Sequence, residues 1–358
     1  MTPAPPAIEP KKILILLHGS IGDVTRALPL AGLLRRRFPE ATLAWSVEPA
    51  SLPLVELCRA VDEIIVFDRP RGITAFLRFL KTIRARRFDL VLDMQRHLKS
   101  GLISRWSGAP SRLGFHRSNT KEFNWLFNNR YIPASGDDTP KILHYLKFAE
   151  YLGIEPMPVE WNLQLSAEDH ASAERLLRGA RRDLGVLFIG SRWESKRWFA
   201  AQIAASAAEI HRRHGIDVVF LGASADQALG DEAETLAQGK VINLVGRTSL
   251  RAAAAIIARA RFCLGPDTGL MHIAAAMGTP VVSLWGATDP IRTGPYGFDD
   301  LVIYGKADCS PCYRKTCSIG RICMQSIDVG AILAMVDKAL ARRGTAGEVP
   351  REAGVSIY

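Results

Sequence analysis

The chain has 358 residues, of which 48% are hydrophobic and 23% are charged, and its formal net charge at pH 7 is +10. This length suggests two domains of ordinary size, and the hydrophobic content excludes an intrinsically disordered protein. No uninterrupted apolar run reaches the roughly 18 residues of a membrane-spanning helix, so we expect a soluble protein.

The first ten residues are rich in Pro and Ala and lack the basic end and apolar stretch of a secretory signal. We therefore expect residues 1–10 to be a disordered leader on an intracellular protein. The buried strand at 12–17 comes next, followed by a glycine-containing turn and a helix that runs to residue 38.

Short apolar runs and amphipathic stretches alternate through the rest of the first half. They predict further strands at 41–47, 63–67 and 90–93, and helices at 51–60 and 73–87. Strands that alternate with helices of this length indicate βαβ units and a parallel sheet covered on both faces.

The alternation weakens between residues 112 and 139, and a helix resumes up to 152. Residues 155–165 contain two prolines and no helical period, so they are interpreted as an interdomain linker. A helix at 166–180 follows it.

The alternation then restarts with strands at 184–189, 217–221, 241–244, 262–264 and 280–285. Helices are expected to reach 214, 237 and 258, with others at 268–277 and 327–341. The predicted fold is therefore α/β, with two Rossmann-like doubly wound domains facing across a cleft. The predicted segments are a leader at 1–10, domains at 11–160 and 161–326, a helix at 327–343 and a flexible tail at 344–358.

The positive charge is concentrated in the first half of the chain. Residues 1–155 carry 23 basic and 15 acidic side chains, a net of +8, whereas residues 156–358 carry 23 and 21, a net of +2. The first half is thus suited to an anionic partner. No zinc-finger spacing, aromatic RNA-binding motif or helix-turn-helix accompanies the charge, which disfavours nucleic acid and leaves a phosphorylated lipid, a membrane surface or a merely solvated basic face.

Three segments at predicted strand ends carry candidate chemistry. The first is HGSIGD at 18–23, where paired glycines permit a tight turn and Asp23 lies in the first turn of a helix. Without a third glycine this segment is not the dinucleotide fingerprint, which disfavours NAD. Asp23 is interpreted either as a helix-start acid or as a general base at the edge of a cleft.

The second segment is SRWESKRW at 191–198, whose basic and hydroxyl side chains indicate either a phosphate site or a solvated loop. The third is GPDTGLMH at 265–272. Its Thr268 and Gly269 would expose backbone N–H groups at a helix start, which suits a diphosphate. His272, four residues after Thr268, would share its helix face.

Six cysteines are present, and four of them lie together at positions 309, 312, 317 and 323. Four thiols can hold a zinc ion, but their spacing differs from the usual paired CxxC arrangement. Zinc therefore stays an alternative to a structural or redox-labile loop, and no metal site is predicted. Cys58 and Cys263 lie in apolar contexts and are expected to be buried thiols.

The sequence resembles glycosyltransferase family 9, which includes the bacterial lipopolysaccharide heptosyltransferases. The resemblance rests on the following segments: KILILLHGSIGDVTRALPLAGLLRRRFP at 12–39, DLVLDMQRHLKSGLISRWSGAPSRLGF at 89–115, SRWESKRW at 191–198, GPDTGLMHIAAAMGTPVVSLWGATDP at 265–290 and CSPCYRKTCSIGRICM at 309–324. It covers most of the chain. It implies the GT-B fold, no metal or other cofactor, and inverting transfer of a heptose from ADP-L-glycero-D-manno-heptose to the lipopolysaccharide inner core.

The resemblance also implies roles for individual residues. Asp23 would be the general base, and Lys196 would neutralise the donor diphosphate. Thr268 and Gly269 would bind the diphosphate through backbone amides, and Asp267 would hold sugar hydroxyls.

Further donor-binding positions follow from the same motifs. His272 would orient the sugar or phosphate, and Ser191 and Arg192 would contact the nucleotide, although Arg192 replaces a hydroxyl residue common at that position. Ser224 and Thr248 would lie near the ribose and the adenine, where they depart from the family's pattern and leave the base and sugar of the donor open.

The acceptor is expected to be a phosphorylated lipid of the lipid A–Kdo type, held by the basic first half. Its predicted ligands are Gly22, Arg96, Lys99 and Arg117. The enzyme would work in the cytoplasm, peripherally on the inner face of the inner membrane. Residues 69–87, basic with apolar residues at helical spacing, would either lie against anionic headgroups or form an ordinary crossover helix.

Two other readings of the sequence stay open. One is a transferase of another nucleotide sugar, or an epimerase or hydrolase with the same architecture. The other is a sugar-nucleotide or anionic-lipid binding protein without activity, which the presence of Asp23, Lys196, Asp267 and His272 disfavours.

Overall fold

The computed structural model describes residues 8–68, 72–180, 183–238 and 241–345. The chain divides into two compact units, Met1–Gln164 and Leu165–Tyr358. Most of the expected leader (residues 1–7) and of the expected tail (residues 346–358) lies outside the described residues, as do residues 69–71 of the basic stretch.

The first unit alternates strands and helices. Its strands are β1 (Lys12–Leu16), β2 (Thr42–Val47), β3 (Glu63–Val66), β4 (Leu90–Asp93), β5 (Ser111–Gly114) and β6 (Arg130–Tyr131). Its helices are α1 (Ile21–Arg37), α2 (Leu52–Val55), α3 (Gly72–Ala85), α4 (Leu98–Ser107) and α5 (Lys141–Tyr151).

These strands form one sheet in the order β3-β2-β1-β4-β5-β6, and all neighbouring strands are parallel. The order is typical of Rossmann folds. In β1 every residue after Lys12 is buried, as expected for a central strand covered on both faces. Side chains of α3 and α4 complete the core on one face, among them Phe79, Ile83 and Ile103.

The second unit repeats this plan. Its strands are β7 (Leu184–Phe188), β8 (Asp217–Leu221), β9 (Val241–Asn243), β10 (Phe262–Pro266), β11 (Val281–Trp285) and β12 (Val302–Tyr304). Its helices are α6 (Ala167–Leu176), α7 (Ala200–His214), α8 (Gln227–Leu236), α9 (Leu250–Arg259), α10 (Gly269–Ala276), α11 (Pro290–Thr293), α12 (Ile322–Gln325) and α13 (Val329–Thr345).

The second sheet has the order β12-β11-β10-β7-β8-β9, again with parallel neighbours. Counted from β7, this is the same strand order as in the first unit. In each sheet the order therefore reverses between its first and fourth strands, and ligands of open α/β sheets bind at the carboxyl ends of the strands at that point.

The sequence pattern missed three strands, β5, β6 and β12. β5 and β6 lie in the stretch from 112 to 139 where the alternation fades, and β12 was also not predicted. β6 has only two residues, and β5 contains a single large apolar side chain, Leu113, so neither shows a recognisable apolar run.

Within the described ranges, no helix has the length and hydropathy needed to cross a bilayer.

Candidate active site

In the first unit the loops that follow β1 and β4 meet where the strand order reverses. Gln95, just after β4, joins them. Its side-chain oxygen accepts a hydrogen bond from the backbone N–H of His18 at 2.8 Å, and its amide donates to the carbonyl oxygen of Gly19 at 3.3 Å. The start of α1 is therefore held at the carboxyl edge of the sheet.

Asp23 is the third residue of α1, where a carboxylate is favoured by the helix dipole and by the capping arrangement. Its Oδ2 accepts hydrogen bonds from the backbone N–H of Ser20 at 3.4 Å and from the Ser20 hydroxyl at 3.1 Å. Local sequence alone thus directs this side chain back toward the loop after β1.

The other carboxylate oxygen of Asp23 is surrounded by donors. Oδ1 accepts from Lys141 Nζ at 2.6 Å, from Arg26 Nη2 at 2.9 Å and from the Tyr145 hydroxyl at 3.2 Å. Arg26 lies one turn along α1. Lys141 and Tyr145 lie four residues apart on α5, so they occupy one face of that helix, which packs against α1.

The charges around Asp23 set its ionisation. Burial alone would raise its pKa, but the positive charges of Lys141 and Arg26 and their hydrogen bonds outweigh burial and hold the pKa far below the usual carboxyl range. Burial and the neighbouring Asp23 carboxylate raise the pKa of Tyr145 well above its usual value. At neutral pH the centre therefore holds an ionised carboxylate beside a neutral phenol.

The predicted acceptor ligands are distributed around this edge of the first sheet. Gly22 is buried in the first turn of α1, next to Asp23. The Arg96 guanidinium lies over the Phe115 ring at 5.6 Å and interacts electrostatically with Tyr145, whereas Lys99 Nζ lies 4.6 Å from the centre of the Phe67 ring.

Arg117 is exposed in a 3₁₀ turn (Arg117–Asn119), which the chain reaches after β5. Of the four predicted acceptor ligands, Gly22 adjoins Asp23 in the chain, and Arg96 is linked to it through Tyr145.

Sequence reasoning missed Arg26, Lys141 and Tyr145. Arg26 could have been found from its helical spacing of three residues from Asp23. Lys141 and Tyr145 could not, because more than a hundred residues separate them from Asp23 and only the packing of α5 on α1 brings them there.

In the second unit the corresponding loops follow β7 and β10. The carboxylate of Asp267, the residue after β10, accepts from Lys196 Nζ at 2.5 Å and from the Thr288 hydroxyl at 3.0 Å. The Ser191 hydroxyl, from the loop after β7, donates to the backbone carbonyl of Asp267 at 2.9 Å. The structure thus brings together three of the predicted donor-binding residues, and Thr288 is an addition.

The start of α10 lies directly beside this cluster. Thr268 is the N-cap residue in an extended conformation, and Gly269 is the first residue of the helix. The first N–H groups of a helix have no partner within it, so this end suits an anion. His272 is buried one turn further along.

The remaining predicted donor residues lie on neighbouring loops. Ser224 begins a 3₁₀ turn after β8, and Thr248 follows β9. These two loops touch, since a Cβ atom added to Gly246 would lie 3.0 Å from the Ser224 Cα. Arg192 is exposed on the loop after β7.

The segment 309–323, called the cysteine loop below, supports the Lys196 segment from behind. Glu194 accepts a hydrogen bond from the backbone N–H of Cys317 at 2.8 Å and forms an ion pair with Arg321 at 3.1 Å. The Ser195 N–H and hydroxyl donate to the carbonyls of Lys315 and Arg314 at 3.2 and 2.5 Å.

The same loop contacts the segment that carries Thr288. The Ser310 hydroxyl donates to the Gly286 carbonyl at 2.6 Å, and the Tyr313 N–H donates to the Ala287 carbonyl at 2.7 Å. The cysteine loop therefore supports both the segment that carries Lys196 and the segment that carries Thr288. The side chains of these two residues are the partners of the Asp267 carboxylate.

None of the six cysteines forms a disulfide, and Cys58, Cys263 and Cys323 are buried. Burial raises the pKa of the Cys323 thiol, and the thiols of Cys309, Cys317 and Cys312 add to this effect. Within the described ranges, no group of three or more His, Cys, Asp or Glu side chains is arranged as a metal site.

Sequence comparison places these features among known enzymes. Residues 76–323 match glycosyltransferase family 9 (heptosyltransferase). The lipopolysaccharide core heptosyltransferase OpsX of Haemophilus influenzae is 30% identical over 299 residues, which are 82% of this chain and 84% of that protein.

Solved structures give the same result for the fold. A family 9 glycosyltransferase from Veillonella parvula superposes with a TM-score of 0.81 at 22% identity, covering 93% of this chain and 98% of that one. The ADP-heptose lipopolysaccharide heptosyltransferase II of Escherichia coli gives 0.75 at 22% identity, with 93% and 100% covered. The predicted α/β fold of the GT-B class is confirmed.

Proposed function

Because the chain belongs to glycosyltransferase family 9, the heptosyltransferase family, and is a glycosyltransferase, we propose that it transfers a heptose to the inner core of lipopolysaccharide. The proposed donor is ADP-L-glycero-D-manno-heptose, and the proposed acceptor is a phosphorylated lipid of the lipid A–Kdo type. One observation carries the proposal: Asp23 and the Lys196–Asp267 pair each lie where the strand order of their own sheet reverses.

The first unit supplies the base. The acceptor hydroxyl oxygen attacks the anomeric carbon of the heptose, the bond from that carbon to the diphosphate oxygen breaks, and the hydroxyl proton passes to Asp23. A single displacement of this kind inverts the anomeric configuration. Asp23 is ionised at neutral pH, as a base must be, but its Oδ1 is occupied by Lys141, Arg26 and Tyr145.

We infer that the acceptor exchanges one of these contacts. Lys141 is the candidate, because its side chain is 26% exposed whereas that of Arg26 is 7% exposed. An acceptor phosphate that draws Lys141 toward itself would leave an oxygen of Asp23 open to the reacting hydroxyl and would raise the basicity of the carboxylate.

The second unit holds the leaving group. Negative charge develops on the departing ADP, and Lys196 and the backbone N–H groups of Thr268 and Gly269 would stabilise it; the proposal is supported by the position of Lys196 beside Asp267, next to the start of α10. Asp267 would turn from Lys196 toward the sugar hydroxyls when the diphosphate binds. These groups supply the charge stabilisation that some transferases take from a divalent cation, so the proposed reaction needs no metal and should proceed in EDTA.

The decisive experiment is a transfer assay with ADP-heptose and lipid acceptors truncated at successive core positions, with ADP release and product mass as readouts. Release that depends on one acceptor supports the proposal and identifies the heptose position. ADP-heptose turnover at the same rate without any acceptor would show a hydrolase or epimerase instead. Failure to bind ADP-heptose would show that the donor is wrong.

A further inference from the structure

The outer side of α3 and α4 carries an unusual number of exposed apolar side chains. Ile73 and Leu77 lie one turn apart on α3, and Ile73 is 70% exposed. Leu98, Leu102 and Trp106 lie at successive turns of α4, and Trp106 is 54% exposed. Spacing by four residues places each set on one face of its helix.

The two helices lie side by side and run in the same direction. Near their starts, Lys99 Nζ is 5.3 Å from the centre of the Phe76 ring. Near their ends, Arg84 Nη1 donates to the Trp106 carbonyl at 3.1 Å. Since both helices bury their inner sides in one core, the exposed rows belong to one outer surface.

The loop after β5, which packs against α4, extends this surface. Phe123 is 71% exposed and has a φ of 57°, in the left-handed region that a bulky residue rarely adopts. The following Asn124 anchors the loop, because its amide donates to Asp93 at 2.8 Å and to the His97 carbonyl at 2.9 Å. An apolar ring is thus held outward at a conformational cost, which favours a function for its exposure. Leu126 is exposed nearby.

The surface is also positively charged. α3 and α4 contain no acidic residue, and their basic residues are Arg78, Lys81, Arg84, Lys99 and Arg105. Glu122, on the adjoining loop, is engaged with His97 at 3.3 Å. Apolar side chains interleaved with cations match the interface of an anionic bilayer, where the former enter the acyl boundary and the latter meet headgroups.

We propose that this surface, defined by Ile73, Leu77, Leu98, Leu102, Trp106, Phe123 and Leu126, docks the enzyme on an anionic lipid bilayer. The inference rests on the proposed function, which requires a lipid-borne acceptor. Charge argues against a second copy as the occupant, because two such faces would bring like charges together.

The placement suits a lipid-borne substrate. α4 begins three residues after Gln95, and Gln95 bonds both His18 and Gly19 in the loop that leads to Asp23. The docking surface and the candidate base therefore adjoin within the first unit, so a lipid held in the bilayer would present its sugar close to Asp23.

Vesicle co-sedimentation of the full chain tests the surface without donor or acceptor. Phosphatidylcholine vesicles with and without phosphatidylglycerol are compared for the wild type, for Leu102→Ser/Trp106→Ser and for Arg78→Gln/Lys81→Gln. We expect the wild type to bind anionic vesicles and this binding to fall with added salt. The partitioning of each double variant onto these vesicles should be weaker than that of the wild type by roughly tenfold or more. The matched controls are Leu236→Ser/Ile291→Ser and Arg212→Gln/Arg213→Gln on the second unit, which should bind as the wild type does.

A deacylated acceptor separates this inference from the proposed function. The double variants should transfer heptose to it at the wild-type rate and lose activity only on acceptor embedded in vesicles. If no protein turns over the deacylated acceptor while vesicle binding follows the expected pattern, the proposed function fails and the docking surface stands.

Three results would overturn the docking surface. These are absence of wild-type binding to anionic vesicles, equal binding by the double variants and the wild type, or a wild-type dimer in light scattering that Leu102→Ser/Trp106→Ser converts to a monomer. The last would make this face an interface between copies.

Discussion

Lys141 Nζ lies 2.6 Å from Oδ1 of Asp23, although 118 residues separate the two along the chain. The contact joins the first residue of α5 to the first turn of α1. It ties the candidate base to a cation whose removal or recruitment would change the basicity of the carboxylate.

Lys141→Met should move the acid limb of the kcat/KM profile to higher pH. In the wild type the cations keep the pKa of Asp23 far below its usual range, so the carboxylate stays ionised across the working range. Without Lys141 that pKa rises toward the ordinary carboxyl value of about 4. The profile is measured with deacylated acceptor, and Lys147→Met on the same helix is the control. An unshifted acid limb would show that Lys141 does not tune Asp23.

The same variant should lose stability at neutral pH. A carboxylate whose folded-state pKa is depressed stabilises the fold above its unfolded pKa of about 4, and this stabilisation is lost as the pH falls through the folded value. The free energies of unfolding of the wild type and Lys141→Met, measured in urea, should therefore differ most at neutral pH. This difference should shrink below about pH 4. A difference independent of pH would point to lost packing rather than to the ion pair.

Asp23→Asn should lower turnover by roughly 10²–10⁴-fold while the affinity for ADP stays unchanged, because a general base acts on the acceptor hydroxyl and not on the nucleotide. Turnover is measured with saturating donor, and ADP binding is measured by calorimetry on the same preparation. Turnover near the wild-type value would remove Asp23 from the reaction, and a collapse of ADP affinity would show that the variant has disturbed the fold.

Much of this architecture is readable from the sequence because its signals are local. Buried runs such as residues 12–17 and the helix-start position of Asp23 rest on neighbours within a few residues. The Lys196–Asp267 contact was also within reach, since both residues follow predicted strands, which the structure shows to be neighbours in one sheet. Parallel strands that pair bring their carboxyl ends to one edge.

The features that escaped prediction depend on distant packing or very short elements. The donors from α5 reach Asp23 through helix–helix packing, which no periodicity encodes. The cysteine loop was recognised by composition, but its bracing of Ser195 depends on backbone contacts of Arg314 and Lys315, which side-chain types do not predict.

Lys196→Met should weaken ADP binding, because it removes a cation and leaves Asp267 to repel the diphosphate. Adding Asp267→Asn should then recover part of the loss, so the double-mutant cycle should show strong coupling between the two positions. Calorimetric titration with ADP measures all four proteins. Arg261→Met, which removes a cation just before β10 at the opposite edge of the sheet, is the control. Wild-type ADP affinity in Lys196→Met would contradict the assignment.

The cysteines should divide into two reactivity classes. Burial raises the pKa of Cys58 to about 11, and Cys263 and Cys323 are buried as well, so these thiols should react with a thiol reagent only after unfolding. Cys309, which is exposed, and the half-buried Cys312 and Cys317 should react in the native protein. Protection of Cys309, Cys312 and Cys317 in the native protein, reversed by a chelator or by a reductant, would show a bound metal or a disulfide there.

The Glu194–Arg321 ion pair should hold the segment that carries Lys196 and so position that lysine. Glu194 holds both Cys317 N–H and Arg321, while Arg321 also donates to the Arg197 carbonyl at 3.1 Å and lies 4.3 Å from the centre of the Phe199 ring. Glu194→Ala should therefore raise Kd for ADP and KM for the donor several-fold with a smaller effect on kcat.

A comparison in the Lys196→Met background distinguishes positioning of Lys196 by this ion pair from a general loss of stability. If Glu194 acts through Lys196, then Glu194→Ala should cost little further ADP affinity in a Lys196→Met protein, because the group it positions is already absent. Arg321→Lys should retain part of the affinity that Arg321→Ala loses, since it keeps the charge but not the planar contact with Phe199. Glu209→Ala, which breaks an exposed ion pair on α7, is the control. If Glu194→Ala lowers ADP affinity equally in the wild-type and Lys196→Met proteins, the ion pair does not act through Lys196.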